Sequence, residues 1–267
     1  MSFKKLSAID IDGTLVNPKR LISDGNKAAI AKYIAAGGII ILASGRMHSS
    51  IRPFGIELNL PGDNIILSYN GGMAKTMSGT LLFERPVPAN YGAEIVQFCK
   101  EHDLHLNYYY NDNLYVSKLN KWSDLYLRRS GSESIPVGDL SSVTEHPPTK
   151  LIIIGEKEML DPLLVMFKAK YGSSLYITKT DDEYLEFMDA GVDKGSGLMW
   201  ICEKLGIAEN ESAAFGDSFN DIQMIEWAGV GVAMSTGREA AKESADIVAE
   251  NSQWTGVGDT LLRFLSN

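Results

Sequence analysis

Short apolar runs alternate with helix-period stretches through the first third of the chain, and this alternation sets the fold class. "LSAIDI" (Leu6 to Ile11) reads as a strand. Ser23 or Asp24 then caps a helix in which Ala28, Ala29, Ile30 and Ile34 recur at helical spacing, and Gly37-Gly38 ends it. "IIILA" (Ile39 to Ala43) is a second, continuously apolar strand; "SGR" and another helix follow, then "NIILS" (Asn64 to Ser68). Continuous runs of this length suit strands buried on both faces, and strands joined by helices form parallel sheets. "YNGG" (Tyr69 to Gly72) is a turn leading into a hairpin, "MAKTMSGTLLFE".

The middle of the chain has a different pattern. The two prolines of "ERPVP" (Glu84 to Pro88) punctuate it. A helix around Tyr91 to His102 precedes "LHLNYYYNDNLYVSK", whose alternating apolar residues flank an Asn-Asp-Asn turn, as in a hairpin. "HPPTKLIIIG" begins another strand, "KEMLDPLLVMFKAKYG" a helix, and "SLYITKTDDEYLEFM" a strand pair. This order predicts an α+β unit with an open antiparallel sheet at 83–189. From Ala190 the first pattern resumes: a helix after "GVDKG", a strand "SAAFGD", a helix "SFNDIQMIEWAG", a strand "VGVAM", a helix "REAAKESA", a strand "DIVAE" and a terminal helix "GVGDTLLRFLS". Residues 1–82 and 190–267 therefore read as one α/β core with a Rossmann-like parallel sheet, interrupted by the 83–189 insert.

Composition narrows the function classes. At 267 residues, 45% hydrophobic and 22% charged, the chain can bury a sizeable core and is not disordered. A net charge of −9 argues against non-specific binding to nucleic acid or anionic membrane, but leaves room for a local basic pocket. Cys99 and Cys202 lie in helical segments without metal spacing, which fits free thiols in a reducing compartment. No signal peptide and no run of roughly 18 apolar residues stand in the sequence, so a soluble cytoplasmic protein is expected. No segment marks an oligomer interface.

Candidate chemistry falls at the carboxyl ends of the core strands, where open α/β sheets hold ligands. Asp10 and Asp12 stand two apart at the end of the first strand, and period-two alternation aims both at one spot. "DIDGT" could also be a plain Asx turn in which Gly13 supplies a positive φ. In "GDSFND", Asp217 and Asp221 could ligate a cation, or Ser218 and Asp221 could simply cap the next helix. Two acidic strand ends in one sheet favour the cation, and carboxylates with phosphate and water suit Mg²⁺. Lys194, in the first turn of a helix capped by Asp193, is either a solvated lysine or a cation meeting phosphate or a carboxylate. Ser44-Gly45 offers a hydroxyl and backbone N–H groups at a helix start, an anion site or an ordinary cap.

"DIDGTLV", "ASGR", "DKGSGL" and "GDSFNDIQMIEWAG…GVAM" together resemble the haloacid dehalogenase-like hydrolases, and within them the Cof-type phosphatases with an inserted α/β cap. The likeness covers both core segments; the cap matches in position and size more than in residues. The resemblance implies a Mg²⁺-dependent phosphatase in which Asp10 is the nucleophile that forms an aspartyl-phosphate, and Asp12 the general acid and then base. It implies a metal held by Asp10, the Asp12 carbonyl and Asp217 with Asp221 behind them. The phosphate would be held by Ser44, the Gly45 and Ile11 amides, Lys194 and Asn220. Small phosphorylated metabolites, such as sugar phosphates or pyridoxal phosphate, are the implied substrates, with the cap closing over the leaving group. Ser44 replaces the family's common Thr, and Trp254-Thr255 stands where acidic residues are frequent. A sugar phosphomutase would use the same carboxylates. A non-catalytic metabolite-binding or phosphoacceptor domain would leave Asp12 without a purpose. Tyr108-Tyr109-Tyr110 reads as a sheet face rather than a substrate contact, and His48, His102, His105 and His146 as structural or surface residues.

Overall fold

A strand buried on both faces has only neighbouring strands to satisfy its backbone, so the apolar runs lie side by side. The structure, a computed structural model, describes residues 2–266. The chain forms two compact units, Met1–Phe83 with Asp193–Asn267, and Glu84–Val192. In chain order the strands are β1 (Leu6–Asp10), β2 (Ile39–Ala43), β3 (Ile65–Ser68), β4 (Met73–Thr76), β5 (Leu81–Glu84), β6 (His105–Tyr110), β7 (Asn113–Val116) and β8 (Ile135–Pro136). Then come β9 (Lys150–Ile154), β10 (Leu175–Asp181), β11 (Tyr184–Asp189), β12 (Ser212–Gly216), β13 (Gly231–Met234) and β14 (Ile247–Ala249). The helices are α1 (Asp24–Ala35), α2 (His48–Glu57), α3 (Ala89–Glu101), α4 (Lys121–Ser130), α5 (Lys157–Tyr171), α6 (Lys194–Leu205), α7 (Ile222–Trp227), α8 (Glu239–Glu243) and α9 (Gly256–Leu265).

The first unit's sheet runs β14-β13-β12-β1-β2-β3-β4-β5, parallel from β14 to β3, with β4 antiparallel to β3. Alternate residues of each strand face two different cores. Ile9, Ile40, Leu42, Phe215 and Val232 pack with Ile30 and Tyr33 of α1 and Leu261 and Phe264 of α9. Leu6, Ala8, Ile41, Ala43 and Ala214 pack with Leu198 and Ile201 of α6 and Met224 of α7. Each fully buried Ile, Leu or Phe contributes about 1.5–3 kcal/mol relative to exposure. Both faces being dry, the central strands deliver polar side chains at their ends, and Asp10, Ser44 and Asp217 stand at carboxyl ends.

Of the two candidate caps of α1, Ser23 is the one used, accepting from the Asn26 amide. Trp254, at φ 59°, accepts from Ser23 Oγ at 2.7 Å and Asn26 Nδ2 at 3.1 Å, while Thr255 Oγ1 donates to Asp259 Oδ2 at 2.8 Å. The Trp254 backbone carbonyl thus ties the chain just before α9 to the start of α1.

The second unit carries a six-stranded sheet, β10-β11-β9-β6-β7-β8, antiparallel except for the short β7/β8 pairing. In the β6–β7 hairpin the turn is Asn111-Asp112, both at positive φ, and Tyr110 pairs with Asn113. Tyr108 is buried in the apolar core under α3 and α5, and Tyr109 on the other face against Tyr126 of α4. Sequence periodicity places no element between Lys118 and His146, yet α4 and β8 lie there. Helix α4 is marked only by its ends, an Asn120–Ser123 capping box and Gly131 at φ 77°. Cys99 and Cys202 are free and buried. Among the described residues no helix is long and apolar enough to cross a membrane.

Candidate active site

Asp10 is the last residue of β1, and Ile9 and Ile11 on either side of it are buried in the core. Period-two alternation stops there, because Leu15 and Val16 donate back to the Ile11 carbonyl and Gly13 takes φ 88°. Beyond the strand end the two carboxylates take different partners, Lys194 for Asp10 and Arg46 for Asp12. The Asp12 carboxylate lies over Arg46, with Nε to Oδ2 at 2.7 Å and Nη2 to Oδ1 at 2.5 Å. The like charges that crowd Asp10 come instead from Asp217 and Asp221, with one carboxylate oxygen of each of the three within 4.8 Å of the others.

Lys194, the first residue of α6, is 0% exposed, which excludes a solvated lysine. Its Nζ donates to Asp10 Oδ1 and to Asp221 Oδ1, each at 2.6 Å. Burial works against its charge, but the two carboxylates overcome this and hold its pKa above the ordinary lysine value. They also outweigh the opposing helix dipole, worth only about 0.3–1 kcal/mol.

Asp221 Oδ2 accepts the backbone N–H groups of Asp217 and Ser218 at 3.0 Å each, so Asp221 closes this turn, with Ser218 as its N-cap residue. The helix expected from Ser218 opens as a 3-10 turn at Phe219–Asp221 before α7. Asp217 Oδ1 accepts from Thr14 Oγ1 at 3.2 Å. A Cβ on Gly13 would lie 2.4 Å from Asp217 Oδ2. Gly13→Ala is therefore expected to cost about 1–2 kcal/mol from the left-handed backbone alone, and more from the clash. Urea unfolding checks this, and a cost below about 0.5 kcal/mol would contradict it.

Ser44 follows β2, buried; its N–H donates to the Leu67 carbonyl at 2.9 Å and its Oγ accepts from the Arg46 N–H at 3.3 Å. It is not a helix cap: α2 starts at His48 with Met47 as its N-cap. Gly45 packs on Asn70, a Cβ there coming within 2.9 Å of Asn70 Oδ1. Asn220 Nδ2 donates to the same Asn70 oxygen at 3.0 Å.

Asn70, Arg46 and Thr14 are residues of the site that sequence reasoning passed over. Asn70, buried at φ 54°, ties the Ser44-Gly45 loop to the Asp217–Asp221 loop. Its signal was the Asn-Gly pair in "YNGG", read only as a turn.

Two buried carboxylates, Asp10 and Asp221, and the half-buried Asp217 around one lysine leave a net charge of −2 if all ionise. Burial, and then the charge of Asp221, push Asp10 well above the usual carboxylate range and Asp217 up to about 6. Asp10 Oδ2 is buried without a hydrogen-bond partner among the described residues. An all-oxygen set with this excess charge fits a divalent cation such as Mg²⁺.

Comparison with known proteins shows the family. A family model described as haloacid dehalogenase-like hydrolase matches residues 7–261. The 5-amino-6-(5-phospho-D-ribitylamino)uracil phosphatase of Bacillus subtilis is 27% identical over 259 residues, 96% of this chain and 94% of that protein. The pyridoxal phosphate phosphatase of Escherichia coli is 27% identical over 253 residues, 91% of this chain and 92% of that protein. The crystal structure of a haloacid dehalogenase-like hydrolase from Bacteroides thetaiotaomicron superposes with a TM-score of 0.90 at 27% identity, covering 97% of this chain and 99% of that one. The chain belongs to the haloacid dehalogenase-like hydrolases and is a phosphatase of that family.

Proposed function

We propose that this phosphatase hydrolyses phosphate monoesters of small metabolites with Mg²⁺, through an aspartyl-phosphate on Asp10. The observation that carries the reading is the state of Asp10. One oxygen is fixed by Lys194 while the other, buried, makes no hydrogen bond among the described residues and is the one left to attack phosphorus. In the first step the Asp10–phosphorus bond forms, the phosphorus–alkoxide bond breaks, and Asp12 gives the leaving oxygen its proton. In the second, Asp12 takes a proton from water, which displaces Asp10 and releases phosphate. Ser44, the Gly45 and Ile11 amides, Lys194 and Asn220 hold the phosphate oxygens, so that positioning and charge neutralisation supply most of the catalysis. Asp10, the Asp12 carbonyl and Asp217 would hold Mg²⁺ with Asp221 behind them, and the ion when bound lets a carboxylate approach an anionic phosphate.

The substrates named for the two relatives, a ribityl phosphate and pyridoxal phosphate, are both small phosphate monoesters and support that class here. Choice among metabolites is assigned to the insert at 83–189. With p-nitrophenyl phosphate as substrate, EDTA is expected to abolish turnover and Mg²⁺ to restore it. Mg²⁺ at 100 times its dissociation constant should also add about 2.7 kcal/mol of stability, seen as a rise of several degrees in melting temperature. Turnover that persists without a divalent cation would contradict the proposal.

A further inference from the structure

Arg46 has no part in the mechanism above, yet it makes the most directional contact of the Asp12 side chain. The Asp12 side chain is 51% exposed and sits beyond the end of β1, where a free carboxylate would sample several rotamers. Arg46 is only 18% exposed and is anchored from three sides. Its N–H donates to Ser44 Oγ at 3.3 Å, its carbonyl accepts the Tyr69 N–H at 3.0 Å, and its guanidinium lies 5.8 Å from the centre of the Phe54 ring. From this mount Nε and Nη2 each take one Asp12 oxygen.

A carboxylate offers about four lone-pair sites, and the planar guanidinium fork takes one on each oxygen. The sites that remain are the ones through which Asp12 can exchange a proton, and the fork sets their direction. A proton-transfer carboxylate misplaced by about 1 Å can lose about 100-fold in rate. As a mere surface ion pair, by contrast, the contact would be worth about 0–1 kcal/mol of stability and nothing to the reaction.

We propose that Arg46 is a positioning residue that aims the Asp12 carboxylate at the leaving-group oxygen. This rests on the reading of Asp12 as the proton donor. A Lys at this position keeps the charge but loses the two-pronged geometry, so the proposal distinguishes fork from charge.

The test is kcat/KM for a series of substituted phenyl phosphates, from p-nitrophenyl phosphate, whose leaving group needs little protonation, to unsubstituted phenyl phosphate, whose leaving group needs more. This parameter reports the steps up to departure of the leaving group. Arg46→Lys and Arg46→Gln are expected to lower it about 10–100-fold for phenyl phosphate and less than about threefold for p-nitrophenyl phosphate. Asp12→Asn should steepen the same dependence, and adding Arg46→Lys to it should change little, because the two residues act as a unit. Melting temperatures of the variants should stay within a few degrees of the parent protein. An equal loss across the series in the Arg46 variants, or none, would overturn the proposal while leaving Asp12 as donor. If Asp12→Asn itself left the dependence unchanged, the reading of Asp12 would fail, and the role of Arg46 with it.

Discussion

Asp10→Asn is expected to lower kcat/KM for p-nitrophenyl phosphate by about 10⁴-fold or more, the scale on which loss of a covalent nucleophile acts. The substitution is close to isosteric. The Asn Oδ1 can still accept from Lys194, which holds Asp10 Oδ1 at 2.6 Å, whereas an amide in place of the second oxygen cannot attack phosphorus. The fold should survive, because the change removes one of three clustered like charges. Desolvation and Asp221 already disfavour the ionised form of Asp10, so a neutral side chain there relieves an unfavourable interaction. The expected signature is therefore a dead enzyme with an undiminished melting temperature. An active Asp10→Asn variant would remove the basis of the mechanism.

The second large effect concerns Lys194. Lys194→Met keeps the stem and deletes the charge, leaving Asp10 and Asp221 without the cation that both contact at 2.6 Å in a fully buried site. Breaking a buried ion pair from one side costs about 3–5 kcal/mol, because the orphaned carboxylates keep their desolvation penalty. For a chain of this size that corresponds to a fall of roughly 6–20 °C in melting temperature. Activity should fall as well, because the aim of Asp10 and the charge facing the phosphate are lost together. A thermal melt in EDTA reads the first effect separately from metal binding, and a shift under about 2 °C would contradict it. The same substitution at an exposed lysine such as Lys118 should be nearly silent, its pairing with Asp103 being a surface one.

How much of this could be read beforehand followed the strength of the local signal. The run Ile39–Ala43 is continuous because it is buried on both faces, and it coincides with β2. Helix α4 carries no comparable stripe; only Ser123 and Tyr126 are buried, and its capping box and terminal Gly131 are weak signals alone. The carboxylates and Lys194 were legible because strand ends and helix starts recur in motifs, and four such motifs stand in order. What meets what was less legible. The partners of Asp10 lie 184 or more positions away, and the direction of Asp12 depends on where the strand stops and on the φ of Gly13. Asn70 was hidden by its own chemistry, since an Asn-Gly pair is explained well enough by a turn. Its hydrogen bond to Asn220 crosses 150 positions and leaves no local trace. The burial of Lys194 was equally invisible, because a lysine in a first helical turn usually faces water.

The central claim, a phosphoryl group carried by Asp10, is tested most directly by trapping it. The protein is mixed with Mg²⁺ and excess p-nitrophenyl phosphate, quenched in acid within the first turnovers, digested with pepsin in the same acid and examined by mass spectrometry. The account predicts one added phosphoryl group on the peptide that contains Asp10, located on that residue and absent from Asp10→Asn. Turnover without such an adduct, or with the phosphoryl group on a different residue, would contradict it.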